Sequence, residues 1–95
     1  MHYVVHCLDH DGAVETRLAH YDAHKAYLAA AKVRTVISGP LLADDESTMI
    51  GSCFVLEADS LAEAEEFNRN DPFAQVGLWK SVSIRPFLKR VDNRA

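Results

Sequence analysis

The chain has 95 residues, enough for one domain and too few for two. Its 48% hydrophobic and 25% charged residues are those of an ordinary globular domain, and a formal charge of −4 argues against a phosphate-neutralising surface, so no nucleic-acid partner is expected. No apolar run approaches the roughly 20 residues that span a bilayer, and Met1-His2-Tyr3-Val4-Val5 lacks the charged and long apolar regions of a signal peptide, so the expectation is a cytoplasmic protein with no membrane partner.

Met1 to Leu8 reads as a strand, with Tyr3, Val5 and Cys7 on one face and Val4 and Leu8 on the other. Asp9-His10-Asp11-Gly12 is a turn cluster. Val14 to Lys32, rich in Ala, Leu, Glu and Lys and free of Gly and Pro, reads as one long helix with Val14, Leu18, Tyr21, Leu28 and Ala31 as its apolar stripe. Val33 to Ser38 is β-branched and reads as the second strand, ended by Gly39-Pro40. The acidic stretch within Leu41 to Ile50 is an exposed loop that could act as a lid, and Gly51 to Glu57 is the third strand.

Ser60-Leu61-Ala62-Glu63 is a capping-box signature that starts a helix to about Asn68. Asn70-Asp71-Pro72 restarts a short helix to about Gly77, with Asp71 as N-cap and Pro72 at the first helical position. Leu78 to Val91 holds the last strand, in which Val82, Ile84 and Pro86 alternate with Ser81, Ser83 and Arg85. The tail from Asp92 to Ala95 is expected to fray. Cys7 and Cys53, far apart and each inside a strand-like run, read as reduced, packed thiols rather than a disulfide framework.

The order β-α-β-β-α-β predicts an α+β, ferredoxin-like βαββαβ unit: a four-stranded antiparallel sheet with helices on one face. The other face carries too many apolar residues for open water. A core this small is also marginal by itself, since a domain of about 60 residues buries only about 60% of its unfolded surface. A homodimer that packs sheet face on sheet face, a dimeric α/β barrel, is therefore expected.

His24 falls on the apolar stripe, between Tyr21 and Leu28. It reads either as a satisfied core histidine or as a general acid or base, because imidazole titrates near neutrality. His20 and His24 have the i, i+4 spacing of metal ligands, but no third ligand accompanies them, and no metal is expected. Asp71 is fully explained as a helix cap, yet its second oxygen could orient a histidine and stabilise the imidazolium.

Arg17, two helical turns before His24, faces either a cleft or water. Arg85 lies on the polar face of the last strand as a rim residue or an anion site. Ser38 closes the second strand where a turn could line a pocket, and Phe73 and Trp79 read as core or as stacking partners for an aromatic ligand. There is no Gly-rich phosphate loop, no Gly-x-Ser-x-Gly elbow and no Cys-x-x-Cys, which removes nucleotide, serine-hydrolase and thioredoxin-type chemistry.

Several blocks, in this order and spacing, resemble the YCII-related family across nearly the whole chain: Arg17 with Ala23-His24-Lys25-Ala26-Tyr27-Leu28, Ser38-Gly39-Pro40-Leu41, Gly51-Ser52, Ser60-Leu61-Ala62-Glu63-Ala64, Asp71-Pro72-Phe73, Gly77-Leu78 and Val82-Ser83-Ile84-Arg85-Pro86-Phe87. The resemblance implies a dimeric ferredoxin-like barrel and a catalytic pair at His24 and Asp71; the residues read one by one above add Arg17, Ser38, Arg85 and Phe73 as substrate-binding candidates. The chain departs from the family pattern at Lys32-Val33-Arg34, where a glycine turn is frequent, and at Phe73, where a tyrosine is common.

Within the family the chain looks most like members that act on chlorinated aromatics. That implies a cofactor-independent elimination of HCl from a small aromatic substrate, 5-chloro-2-hydroxyhydroquinone, to give hydroxybenzoquinone. Fold alone does not give function, so two other readings stand beside it: an isomerase similar to the muconolactone isomerases, and a non-catalytic dimeric ligand-binding module.

Overall fold

The alternation of Tyr3, Val5 and Cys7 with His2, Val4 and His6 forms β1 (His2–Asp9), whose odd-numbered residues are buried. The computed structural model describes residues 1–94; Ala95, the end of the tail expected to fray, lies outside them. Two short helices follow, α1 (Val14–Ala19) and α2 (Tyr21–Ala30), then β2 (Arg34–Leu42), β3 (Met49–Glu57), α3 (Leu61–Arg69), α4 (Pro72–Gln75) and β4 (Trp79–Phe87).

The four strands lie in the order β2-β3-β1-β4, and every neighbouring pair is antiparallel. This is the ferredoxin-like α+β fold, with its first helix in two pieces and α4 as an addition. Register sets the two faces of the sheet. Cys7 lies opposite Ser52 and Val82, Val5 opposite Phe54 and Ile84, and Tyr3 opposite Leu56 and Pro86, so these residues share the face that the helices cover. His6 lies between Cys53 and Ser83, and Val4 between Val55 and Arg85, on the open face.

The core sits between the covered face and the helices: Val5, Phe54, Leu56, Phe73 and Leu78 are almost wholly buried. Burying one such side chain contributes about 1.5–3 kcal/mol. Gly51 in β3 is required by close approach, since a Cβ there would collide with the backbone carbonyl of Cys7.

Three expectations are corrected. The long helix is broken at His20, whose φ of −112° and ψ of 8° leave the helical region. The apolar stripe does not survive that break: Leu18 and Tyr21 are 58% and 45% exposed, and the residue that α1 turns inward is Arg17. Finally, β2 runs through Gly39-Pro40 to Leu42, pairing Pro40 with Ser52. A proline is tolerated there because β2 is an edge strand, where one side of the backbone needs no ladder partner.

The caps lie close to expectation. Ser60 accepts the N–H of Glu63, and the Glu63 carboxylate accepts the N–H of Asp59, one residue before the cap. Asp71 caps α4 by accepting the N–H of Phe73 at 2.8 Å. Both cysteines are free thiols, Cys7 buried and Cys53 half-buried.

Candidate functional site

His24 sits on α2, whose first turn is fixed by its own N–H donating to the His20 carbonyl at 3.0 Å. That places the imidazole against the N-terminus of α4. Its Nδ1–H donates to Asp71 at 2.8 Å to Oδ2 and 2.9 Å to Oδ1. The carboxylate therefore serves two donors, the imidazole and the Phe73 N–H that defines the α4 cap. Asp71 is 1% exposed and His24 8%. A carboxylate in such a setting selects the tautomer of the neutral imidazole, with the proton on Nδ1 and the lone pair on Nε2.

Aromatic rings hold the imidazole in place. Phe73 stacks on it with centroids 4.1 Å apart and planes 13° apart, and Phe54 meets it edge-on at 5.9 Å. Trp79 packs edge-on against both phenylalanines. The Arg17 guanidinium carbon lies 4.8 Å from the Phe73 ring centroid.

Arg17 is buried and bound to residues that the sequence reading did not select. Its Nε and Nη2 donate to the two oxygens of Asp9, each at 2.8 Å, in a bidentate pair. Nη2 also donates to Ser52 Oγ at 2.8 Å. Asp9 reads by sequence as a turn residue, and Ser52 only as part of a resembling dipeptide. Their signal is parity. Asp9 continues the buried series Tyr3, Val5, Cys7, and Ser52 shares the series of Phe54 and Leu56, so each puts a polar group on the covered face.

A cavity of about 480 Å³ opens above these groups, lined on one side by Arg17, Leu18, Tyr21, His24, Lys25 and Leu28, and on the other by β2 and β3 residues that include Ser38, Pro40, Met49, Ser52 and Phe54. His24 Nε2 makes no hydrogen bond among the described residues. It is not among the sealed side-chain atoms that lack a partner, Thr35 Oγ1 and Trp79 Nε1, so the cavity is its outlet.

The selected residues thus divide. His24 and Asp71 form a pair, and Arg17 and Ser38 line the same cavity. Phe73 is fully buried beneath His24 and Arg17, as a platform rather than a lining residue. Arg85, opposite Val4, stands on the open face and is not brought to this site within one chain. His20 turns its Nδ1 to the Thr16 carbonyl, away from His24.

Residues 1–88 match the YCII-related domain. The chain belongs to that family. Among relatives of this YCII-related chain, protein YciI of Escherichia coli is 31% identical over 96 residues, spanning 94% of this chain and 98% of its own length. The derivative of benzaldehyde biosynthesis cluster protein C of Emericella nidulans is 31% identical over 85 residues, 85% of this chain and 84% of that protein.

Among solved structures, the chain is similar to 5-chloro-2-hydroxyhydroquinone dehydrochlorinase, TftG, of Burkholderia phenoliruptrix in complex with 2,5-dihydroxybenzoquinone. The TM-score is 0.83, with 32% identity over 93% of this chain and 94% of that one. That neighbour is an enzyme and binds a small aromatic ligand.

Proposed function

We propose that this YCII-related protein is a cofactor-independent carbon–halide lyase of the cytoplasm that removes HCl from 5-chloro-2-hydroxyhydroquinone and yields hydroxybenzoquinone. The observation that carries the reading is the buried His24–Asp71 pair, whose Nε2 opens into a cavity of aromatic dimensions in a chain similar to a dehydrochlorinase.

Two hydroxyl protons leave the ring, one proton is returned to the carbon that bears chlorine, and the C–Cl electron pair departs with chloride. HCl is the net loss, and two hydroxyl oxygens become carbonyls. His24 Nε2 takes the first hydroxyl proton as general base, delivers a proton to the ring carbon, and takes the second as chloride leaves. Such a group contributes typically about 10² to 10⁴-fold. Asp71 keeps Nδ1 protonated and stabilises the imidazolium between those steps. Arg17 and Ser38 lie along the cavity that receives the ring, with Phe73 behind His24.

The reading includes a homodimer through the open sheet face. Ile37 and Phe87, 55% and 40% exposed, lie there beside Val4, Leu8 and Val55. A second copy would remove that apolar surface from water.

The test is chloride release from 5-chloro-2-hydroxyhydroquinone under anaerobic, reducing conditions, which hold back spontaneous oxidation of the quinol. Stoichiometric chloride with the wild type, reduced at least about 100-fold in folded His24→Ala, is expected. Turnover without chloride would move the assignment to an isomerase. Saturable binding without turnover would move it to a ligand-binding module.

A further inference from the structure

If an aromatic hydroxyl meets His24, as the proposed function requires, the other polar groups of the cavity define the form in which the ring is held. Asp9 occupies Nε and Nη2 of Arg17, and Ser52 Oγ takes a second bond from Nη2. Two donors are left over. Arg17 Nη1 has no partner among the described residues, and Ser52 Oγ, which accepts from Arg17, still has its own O–H to give.

Both residues are 3% exposed, and both line the cavity. Nη1 is not one of the sealed atoms without a partner, and the cavity is where Arg17 comes to the surface. His24 Nε2 has the opposite polarity: with Nδ1–H given to Asp71, it can only accept while the ring is neutral.

We infer that Arg17 Nη1 and Ser52 Oγ form an anion subsite, and that the cavity selects aromatic acids in singly ionised form, with the ionised oxygen on Arg17 and Ser52 and a remaining hydroxyl on His24 Nε2. A neutral ring offers these two buried donors only a weaker acceptor. A ring with no hydroxyl left turns an oxygen lone pair toward the lone pair of Nε2. The ligand class is therefore dihydroxyquinones and polyphenols that have lost one proton and keep another hydroxyl. Because Asp9 already offsets the Arg17 charge, the Arg17–Ser52 part of the selection rests on directed donors and should resist added salt, while Lys25, which lines the same cavity without an ion-pair partner among the described residues, adds a cation that salt screens.

The probe is 4-nitrocatechol, which has two neighbouring hydroxyls and a visible spectrum that reports loss of the first proton. It is titrated against the full-length protein from below to above its own first pKa. Bound probe is expected to ionise at lower pH than free probe, with its anion bound at least about tenfold tighter than its neutral form. Ser52→Ala removes one donor and should cut that preference several-fold, and Arg17→Lys should abolish it.

Equal affinity for the two forms, undiminished preference in folded Ser52→Ala, or no binding of the probe would overturn the subsite. If Arg17→Lys fails to fold, Ser52→Ala still decides. Binding is read without turnover, so an intact preference with no chloride release would sink the lyase reading and leave the subsite standing.

Discussion

At the scale of single residues, the cavity floor rests on two buried acid–base pairs with different origins. His24 and Asp71 are each visible in the sequence, one as a histidine on an apolar stripe and one as a cap before proline. Their contact spans 47 positions and follows only from the packing of α2 on α4. The Asp9–Arg17 pair stayed hidden because each residue has an ordinary surface explanation when read locally. With both side chains 4% exposed, it is a desolvated pair, and breaking one partner leaves the other charge uncompensated. Asp9→Asn is expected to cost about 3–5 kcal/mol in chemical denaturation, far above the loss of an exposed ion pair.

Cys7 makes a second prediction at this scale. Burial pushes its thiol up from 9.0 to about 12, against the lowering effect of the Asn68 amide that donates to its sulfur. The folded state then holds a proton that the unfolded state has lost. Its contribution is complete below pH 9, and it declines as pH rises toward about 12. Denaturation midpoints should fall over that window, and alkylation of Cys7 near pH 8 should require unfolding.

At the scale of elements, the turn at His20 matters more than helix length. By separating α1 from α2 it changes the phase of the helical faces, sending Arg17 inward to Asp9 and Ser52 and leaving Leu18 and Tyr21 at the cavity wall. Continuous Ala-rich composition gave no sign of that break, since neither Gly nor Pro marks it. The caps of α3 and α4 were legible because they depend on neighbours two to three residues away. The β1–β3 pairing sets a tighter condition. A methyl group on Gly51 would press on the Cys7 carbonyl and on Leu41 Cδ1, so the strands would have to part beside Ser52. Gly51→Ala is expected to lose about 1–3 kcal/mol or more by thermal or urea unfolding, and to weaken ligand binding at the adjoining cavity.

At the scale of the whole molecule, one sheet face is covered by helices and the other is not. The open face mixes Val4, Leu8, Val55 and Ile37 with His6, Ser83 and Arg85, and its apolar members are the surface that the proposed homodimer would bury. Sedimentation equilibrium at micromolar concentration should give twice the chain mass of 10.6 kDa, and Val4→Lys at the centre of that face should return a monomer. A wild-type monomer under those conditions would overturn the pairing. Arg85, far from His24 within one chain, lies on this same face.

What the sequence determined by itself was what local chemistry encodes: strand alternation, cap residues, the order of elements and hence the sheet topology. It also supplied the two residue types of the acid–base pair. The tertiary structure alone decided which polar groups share a cavity. Asp9, Arg17 and Ser52 come from three elements separated by loops, and a bidentate contact at 2.8 Å depends on sheet register and helix phase together. Hydrophobic period reports which face of an element is buried. It carries no information about which buried polar groups meet, because that is settled by packing between elements distant in the chain.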